Sequence, residues 1–383
     1  MTRILIPGLL LAFLLGSCGG FRLNRLLTEQ QGDWVMYGGD PSRANTTTER
    51  VQPPLREVWQ YNAQGGISGS PLVRDSVVIV GTLHGEIQAV NLTTGKRIGY
   101  RVLEGPVVGT PLLDENRLVL SVSGNAESLL MFDLESGSRI WSAVPGPIES
   151  SPLLHKGALY VATLLGTVVS IDKSSGEELW EFKTGSKVRR EPIRSSPAAE
   201  ENVVCVGSDD GFVYGLDRES GRLLWKVNTG ASVFASPAVL AGLAVVGNLH
   251  GTLHAIDLQT GAVRWMVETG SRIYGPVSGT RHTVYAGCAD GTLRALDIED
   301  GSLVWEFNAE SVINSAPLIA GDLLFVGSLD KTLYVLERRT GKERWRYAAE
   351  GRIRVSPVLW GDYLLVTSED RYITALRPEG SFR

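Results

Sequence analysis

SSPAAEENVVCVGSDDGFVYGLDRESGRLLWKVNTG, residues Ser195–Gly230, reads as four short β-strands joined by tight turns. Ser195–Glu200 opens the unit and Asn202–Gly207 follows. Asp210-Gly211 marks a two-residue hairpin turn, because glycine supplies the positive φ such turns need. Phe212–Asp217 is the third strand, Glu219-Ser220-Gly221 the next turn, and Arg222–Asn228 the fourth strand, carrying Trp225. Along the third strand Val213, Gly215 and Asp217 point one way and Phe212, Tyr214 and Leu216 the other, the period-2 signature of a strand.

The unit recurs along nearly the whole chain. Its opening proline falls at Pro71, Pro111, Pro152, Pro197, Pro237, Pro276, Pro317 and Pro357, with spacings of 40, 41, 45, 40, 39, 41 and 40 residues. The aromatic slot of the last strand falls at Trp59, Tyr100, Trp141, Trp180, Trp225, Trp265, Trp305 and Trp345. A D-x-x-x-G turn precedes that slot at Asp133/Gly137, Asp172/Gly176, Asp217/Gly221, Asp257/Gly261 and Asp297/Gly301, with Asn91/Gly95 and Glu337/Gly341 as variants. Four strands in a period near 40 residues specify an all-β fold, a β-propeller with one blade per repeat. Eight landmarks give a single eight-bladed ring over residues 33–378. The strand Glu57–Tyr61 precedes any complete blade, and the last unit, Pro357 to Arg377, has three strands. Pairing the two closes the ring and hides both sheet edges.

The rest of the composition fits one large domain. The chain has 383 residues, is 43% apolar and carries a net charge of −5 without a long basic run, which argues against nucleic acid as a partner. At the N-terminus Arg3 precedes an apolar run, Ile4–Leu15, too short to span a bilayer. Leu15-Gly16-Ser17-Cys18 follows, so residues 1–17 read as a lipoprotein signal peptide and Cys18 as the acylated first residue of the mature chain. Residues 18–32 read as a lipidated tether. Asp33–Pro41 begins ordered structure that packs across the ring with Trp34 buried. Cys205 and Cys288 read as buried small apolar residues rather than a disulfide.

Side chains that could carry chemistry fall into the repeat register. His84 and His250 occupy the same turn as Asp210 and Asp290, His254 lies in a strand, and His155 and His282 lie in loops. The aspartates of the D-x-x-x-G turns sit once per blade, far apart, where a carboxylate accepts backbone N–H bonds. Seven of the nine tryptophans share one slot, which assigns them to packing between blades. No catalytic residue, no metal site and no cofactor is expected, since no nucleophile elbow, phosphate loop or Cys/His cluster occurs. One irregularity stands apart. From Trp180 to Pro197 the chain takes 17 residues, where the other units take 11 or 12, and the excursion carries Lys187, Arg189, Arg190 and Arg194 against Glu191. A basic loop on an acidic protein is a candidate docking surface, with Val188 and Ile193 as apolar area. A second irregularity, Gly124–Ser128, lengthens the second unit's central hairpin.

With the lipobox, the Asp33-Trp34-Val35-Met36-Tyr37-Gly38-Gly39-Asp40 opening and the repeats in hand, the chain resembles the family of outer-membrane barrel-assembly lipoproteins, the B subunits of the Bam complex. Its repeats are similar to the wider quinone-enzyme-like (PQQ-like) propeller family, which specifies fold more than function. The resemblance implies a non-catalytic lipoprotein scaffold on the periplasmic face of the outer membrane. It would bind the barrel-forming subunit and could hold unfolded outer-membrane proteins by edge pairing. It puts the docking residues on the loops into the fourth and fifth blades, Lys187–Arg194 in the first. Two aspartates of the family's second loop fall here on Ser232 and Phe234. Two alternatives stand beside it: a general envelope propeller with another partner, and a quinone-dependent dehydrogenase relative. The dehydrogenases carry an adjacent cysteine pair and calcium-ligating residues in long insertions, and this chain has neither Cys-Cys nor long insertions.

Overall fold

The computed structural model describes residues 21–23, 25–185 and 190–380. The lipobox and Cys18 therefore lie outside the described residues, as do Lys187, Val188 and Arg189. The described chain folds as eight antiparallel four-stranded sheets, the seventh of which gains Thr46–Thr47 as a parallel fifth strand beside Leu318–Ala320. Seven follow chain order, with strands Leu72–Arg74, Val77–Gly81, Glu86–Asn91 and Arg97–Val102 forming the first blade. The eighth joins Val358–Trp360, Tyr363–Thr367 and Tyr372–Pro378 to the early strand Leu55–Asn62. Leu55 pairs with Pro378 and Asn62 with Tyr372, so the closing strand is longer at both ends than the expected Glu57–Tyr61.

The 195–230 unit is adjusted at its first strand and its hairpin, and its second and fourth strands each begin one residue later than expected, at Val203 and Leu223. Its first strand is only Ala198–Glu200, because Ser195 turns its hydroxyl onto the Gly207 carbonyl at 2.7 Å and Pro197 has no N–H to give a ladder. The hairpin at Asp210-Gly211 is a three-residue loop, Asp209–Gly211, closed by Ser208 N–H donating to Phe212 O at 2.9 Å.

Each outer strand carries a bulge just before the aromatic slot. In the fourth blade Leu216 pairs with Leu223 and Gly215 with Trp225, so Leu224 is the extra residue. The bulge aims the indole at the next blade. Trp225 Nε1 donates to Leu258 O at 2.8 Å and Trp265 Nε1 to Ile298 O at 2.8 Å; Trp59, Trp141, Trp180 and Trp305 bond in the same way to Leu92, Lys173, Arg218 and Arg338. Under each of these rings lies the glycine of the next D-x-x-x-G turn. A Cβ on Gly261, which has φ +73°, would meet Trp225 at 2.5 Å. Glycine is required there both by backbone conformation and by the ring above it.

Tyr100 does not occupy the first blade's slot. The bulge there falls between Arg97 and Gly99, which sets Gly99 opposite Ala89 and turns Tyr100 outward, 42% exposed. The chain fills the vacancy from its own N-terminus. Phe21, 1% exposed, and Leu23 reach within 3.8 Å of where a Gly99 Cβ would stand. The Leu23 N–H donates to Leu134 O at 2.9 Å, the carbonyl equivalent to those that indoles engage elsewhere. Leu27 is also buried, its N–H on Asn116 Oδ1 at 2.7 Å, and Arg25 pairs with Asp75 at 3.1 Å. From Phe21 onward, the segment expected to be a tether is thus docked between the first and second blades.

Residues beyond it cap the channel, as the sequence suggested for Trp34. Trp34 is 2% exposed and bridges Val73. The innermost strands of five further blades then donate N–H groups to this segment: Leu113 to Val35, Ala199 to Pro41, Val239 to Ser42, Gly279 to Ala44 and Ile319 to Asn45. Arg43 lies buried at the centre. It donates to Pro197 O at 3.0 Å, to Pro152 O at 3.2 Å and to Tyr37 O. Burial lowers its pKa to about 10, so the guanidinium stays charged at neutral pH.

Replacing Phe21 by alanine removes the side chain that substitutes for the absent tryptophan. The cost expected is about 3–5 kcal/mol, read as a clear drop in melting temperature. Alanine at neighbouring Leu26, 60% exposed, should leave melting unchanged. Equal melting of the two variants would show that the segment carries no packing energy.

Candidate functional site

Because each blade is antiparallel, the ring has two unlike faces. The D-x-x-x-G turns and the N-terminal segment lie on one, the turn face. The loops entering each blade lie on the other, the loop face, and the basic excursion is among them. Seven residues separate Gly185 from Ile193, where two separate Gly230 from Val233, so the insertion is confined to this short stretch. Its base is fixed. Thr184 N–H donates to Gly166 O at 2.9 Å and Ile193 N–H to Thr163 O at 3.0 Å.

The structure divides the six expected docking residues. Arg190 is exposed at the loop's surface. Ile193 is fully buried among Ala162, Val168, Val206 and Tyr214, so it cannot offer apolar area to a partner. It belongs to the repeat, equivalent to Val233 and Ile273, which pack against Gly207 and Gly247. Arg194 is engaged within the chain. It pairs with Asp209, lies 3.5 Å from Glu149, and stacks over Phe234 at 5.2 Å. Ser232 Oγ meanwhile donates to Asp209 O at 2.8 Å. The loops into the fourth and fifth blades are therefore joined through Asp209, with Arg194 as the clasp.

Sequence reasoning passed over Asp209 and Glu149, and it named Phe234 only as a place where the family has an aspartate. Asp209 had a signal: equivalent positions hold Leu249, Ala289 and Leu329, and only the eighth blade, with Glu369 paired to Arg354 at 3.2 Å, repeats the carboxylate among these. Glu149, Arg194, Phe234, Asn314 and Arg354 each stand just before a blade's opening strand, and Glu149, Asn314 and Arg354 line the channel mouth. Behind them is a cavity of about 200 Å³ floored by Tyr37. Its walls carry a hydroxyl relay, with Ser70, Thr110, Ser151 and Ser196 N–H groups donating to the hydroxyls of Thr110, Ser151, Ser196 and Ser236 at 2.8–2.9 Å. The relay satisfies backbone donors at the ends of inner strands, which is structural work. At Ala316, where the relay has no hydroxyl, Asn45 Nδ2 reaches the Ala316 and Pro317 carbonyls instead.

The turn aspartates are structural as well. Asp217 accepts Ser220 N–H and Oγ–H at 2.9 and 2.6 Å, and the Ser220 hydroxyl holds its pKa below the ordinary range. The Ser136 hydroxyl does the same for Asp133, the Ser175 and Ser174 backbone N–H groups lower Asp172, and Arg264 with Thr260 brings Asp257 to about 2. His254 is buried, and burial lowers its pKa, which keeps it neutral. Among the described residues no group of three or more His, Cys, Asp or Glu is placed to hold a metal ion.

These aspartates have lower pKa values folded than unfolded, so their stabilisation is complete above the unfolded value, about 4, and is lost as pH falls through the folded values. Melting temperature is expected to be level near neutrality and to fall between about pH 4 and 2. Asp257→Asn should flatten part of that fall; an unchanged profile would show the turn carboxylates to be neutral for stability.

The family model described as outer membrane protein assembly factor BamB matches residues 50–158, 127–273, 209–320 and 289–381, the whole ring. A Yersinia pestis protein of that name is 26% identical over 145 residues, 33% of this chain and 36% of its own length, so the match spans about a third of that relative. The crystal structure of BamB from Moraxella catarrhalis superposes with a TM-score of 0.70 at 19% identity, covering 84% of this chain and 99% of that one. Quinohemoprotein alcohol dehydrogenase from Comamonas testosteroni superposes with a TM-score of 0.75 at 14% identity, covering 92% and 81%. At such identities both superpositions speak for the fold alone.

Proposed function

We propose, on the premise that the chain belongs to the outer membrane protein assembly factor BamB family, that it is a non-catalytic lipoprotein scaffold for inserting β-barrel proteins into the outer membrane. The observation that carries the reading is the family match over the entire ring. The loop face supports it with a short basic insertion on a rigid base, the arrangement binding loops usually take. In this reading Cys18 carries the acyl chains and holds the protein on the periplasmic face of the outer membrane. Lys187, Val188, Arg189 and Arg190 meet the barrel-forming subunit. Arg194 and Ile193 hold the loop's base, and unfolded outer-membrane proteins are clients.

A second reading, an envelope propeller serving another partner, draws on Ser232 and Phe234. The resemblance places acidic docking residues at those positions, and here one hydroxyl is spent on Asp209 O and the ring lies under Arg194. Capture from membranes separates the two readings. The acylated protein should retain the barrel-forming subunit, identified by mass spectrometry. Arg189→Glu with Arg190→Glu should weaken that capture about tenfold, roughly 1.4 kcal/mol, with the fold intact. Undiminished capture across rising salt would remove the loop from the interface, and capture of an unrelated protein would favour the second reading.

The anchor has its own test. Cys18→Ala should move the protein out of the membrane fraction, since no helix among the described residues is long and apolar enough to cross a bilayer. A variant that still fractionates with membranes would place the anchor elsewhere.

A further inference from the structure

The N-terminal segment is docked from Phe21, and Cys18 precedes it by three residues. Three residues reach about 10 Å at full extension. An acylated Cys18 would therefore leave the ring almost no slack, and the seam between the first and second blades would have to lie at the lipid surface.

The outer strands of those two blades differ from the rest. After the aromatic slot, two positions of each outer strand face outward. In the first blade they are Tyr100 and Val102, and in the second Ser142, half-buried with its hydroxyl donated to Glu127 at 2.9 Å, and Val144 just past the strand's end, with Val102 and Val144 64% and 68% exposed. In each of the other six blades a charged or amide side chain takes at least one of these positions, as Lys226, Glu306 and Arg346 do. The bulge residues Ile98 and Ile140 add exposed apolar area at 44% and 41%, as Leu179 and Val304 do in other blades, and Leu26 of the docked segment adds more at 60%. Arg22 and Arg97 are exposed beside them, and Arg97 lies 4.5 Å from the Tyr100 ring. An amphipathic aromatic ring, aliphatic side chains and guanidinium groups suit the headgroup region of a bilayer.

We infer that the outer rim of the first and second blades rests on the leaflet holding the acyl chains of Cys18. The inference rests on the acylation of Cys18 in the proposed function, and it adds an orientation. The ring stands with these two blades against lipid, and the fourth blade's basic loop is carried toward the aqueous space. Acyl chains already provide anchoring, so the apolar rim fixes how the ring is held rather than whether it is held.

The test uses the full protein purified from membranes, with acylation read from the mass of its N-terminal peptide. The protein is reconstituted in vesicles of phosphatidylethanolamine and phosphatidylglycerol containing a nitroxide-labelled lipid. A thiol fluorophore is placed by Ile140→Cys or by Val304→Cys, the equivalent position across the ring; Cys205 and Cys288 are buried and do not compete. Quenching at 140 should exceed that at 304 several-fold. Tyr100→Glu with Val102→Glu should bring the two together while the protein stays vesicle-bound. Equal quenching at both sites in the unaltered rim, or stronger quenching at 304, overturns the orientation and leaves the scaffold reading standing. A dimer in detergent that the two glutamates dissociate assigns the rim to a second copy and also overturns it. An unacylated N-terminal peptide removes the anchor and the orientation together.

Discussion

Six of the blade interfaces in this ring are held by one repeated contact, an indole N–H donated to the backbone carbonyl of the next blade, with a glycine turn flat beneath the ring. A propeller has no single core. Each sheet is a thin layer whose stability comes from its two neighbours, so eight interfaces must be closed at the same time. The bulge before Trp225 turns its ring out of its own sheet, and the positive φ of Gly261 lets the neighbouring turn pass underneath. The hydrogen bond then fixes the ring's rotation, because an unpaired carbonyl buried there would cost as much as a lost bond.

The first interface breaks this rule and is repaired from outside the repeat. Gly99 leaves a hole the size of an aromatic ring, and Phe21 fills it while the Leu23 N–H takes the indole's hydrogen-bonding place. The same run of chain continues across the turn face and gathers N–H groups from one inner strand after another. The N-terminus is therefore a working part of the ring, and that ties the position of Cys18 to one seam of the structure.

On the loop face the structure separates what holds the site from what it presents. Ile193 belongs to the blade interface, and Arg194 is committed to Asp209, Glu149 and Phe234. A loop pinned at both ends to Gly166 and Thr163 loses less conformational freedom on binding than a free one. In the proposed function, what is left to meet a partner is the insertion itself, whose base adjoins a joined pair of entry loops.

The eight blades, their four strands, the strand that closes the ring and the structural role of the turn aspartates were legible from the chain alone. These features are local: turn residues, alternation and a constant period record them within forty residues. The tertiary structure decided the register of the first outer strand, where the bulge displaced Tyr100 in favour of Gly99. It decided the docking of Phe21, whose partners lie more than seventy residues away, and the roles of Ile193 and Arg194, which look like loop residues and act as core and clasp. A contact between distant segments leaves no periodic trace. Whether a side chain near a turn is buried or presented depends on which neighbour the closed ring brings against it.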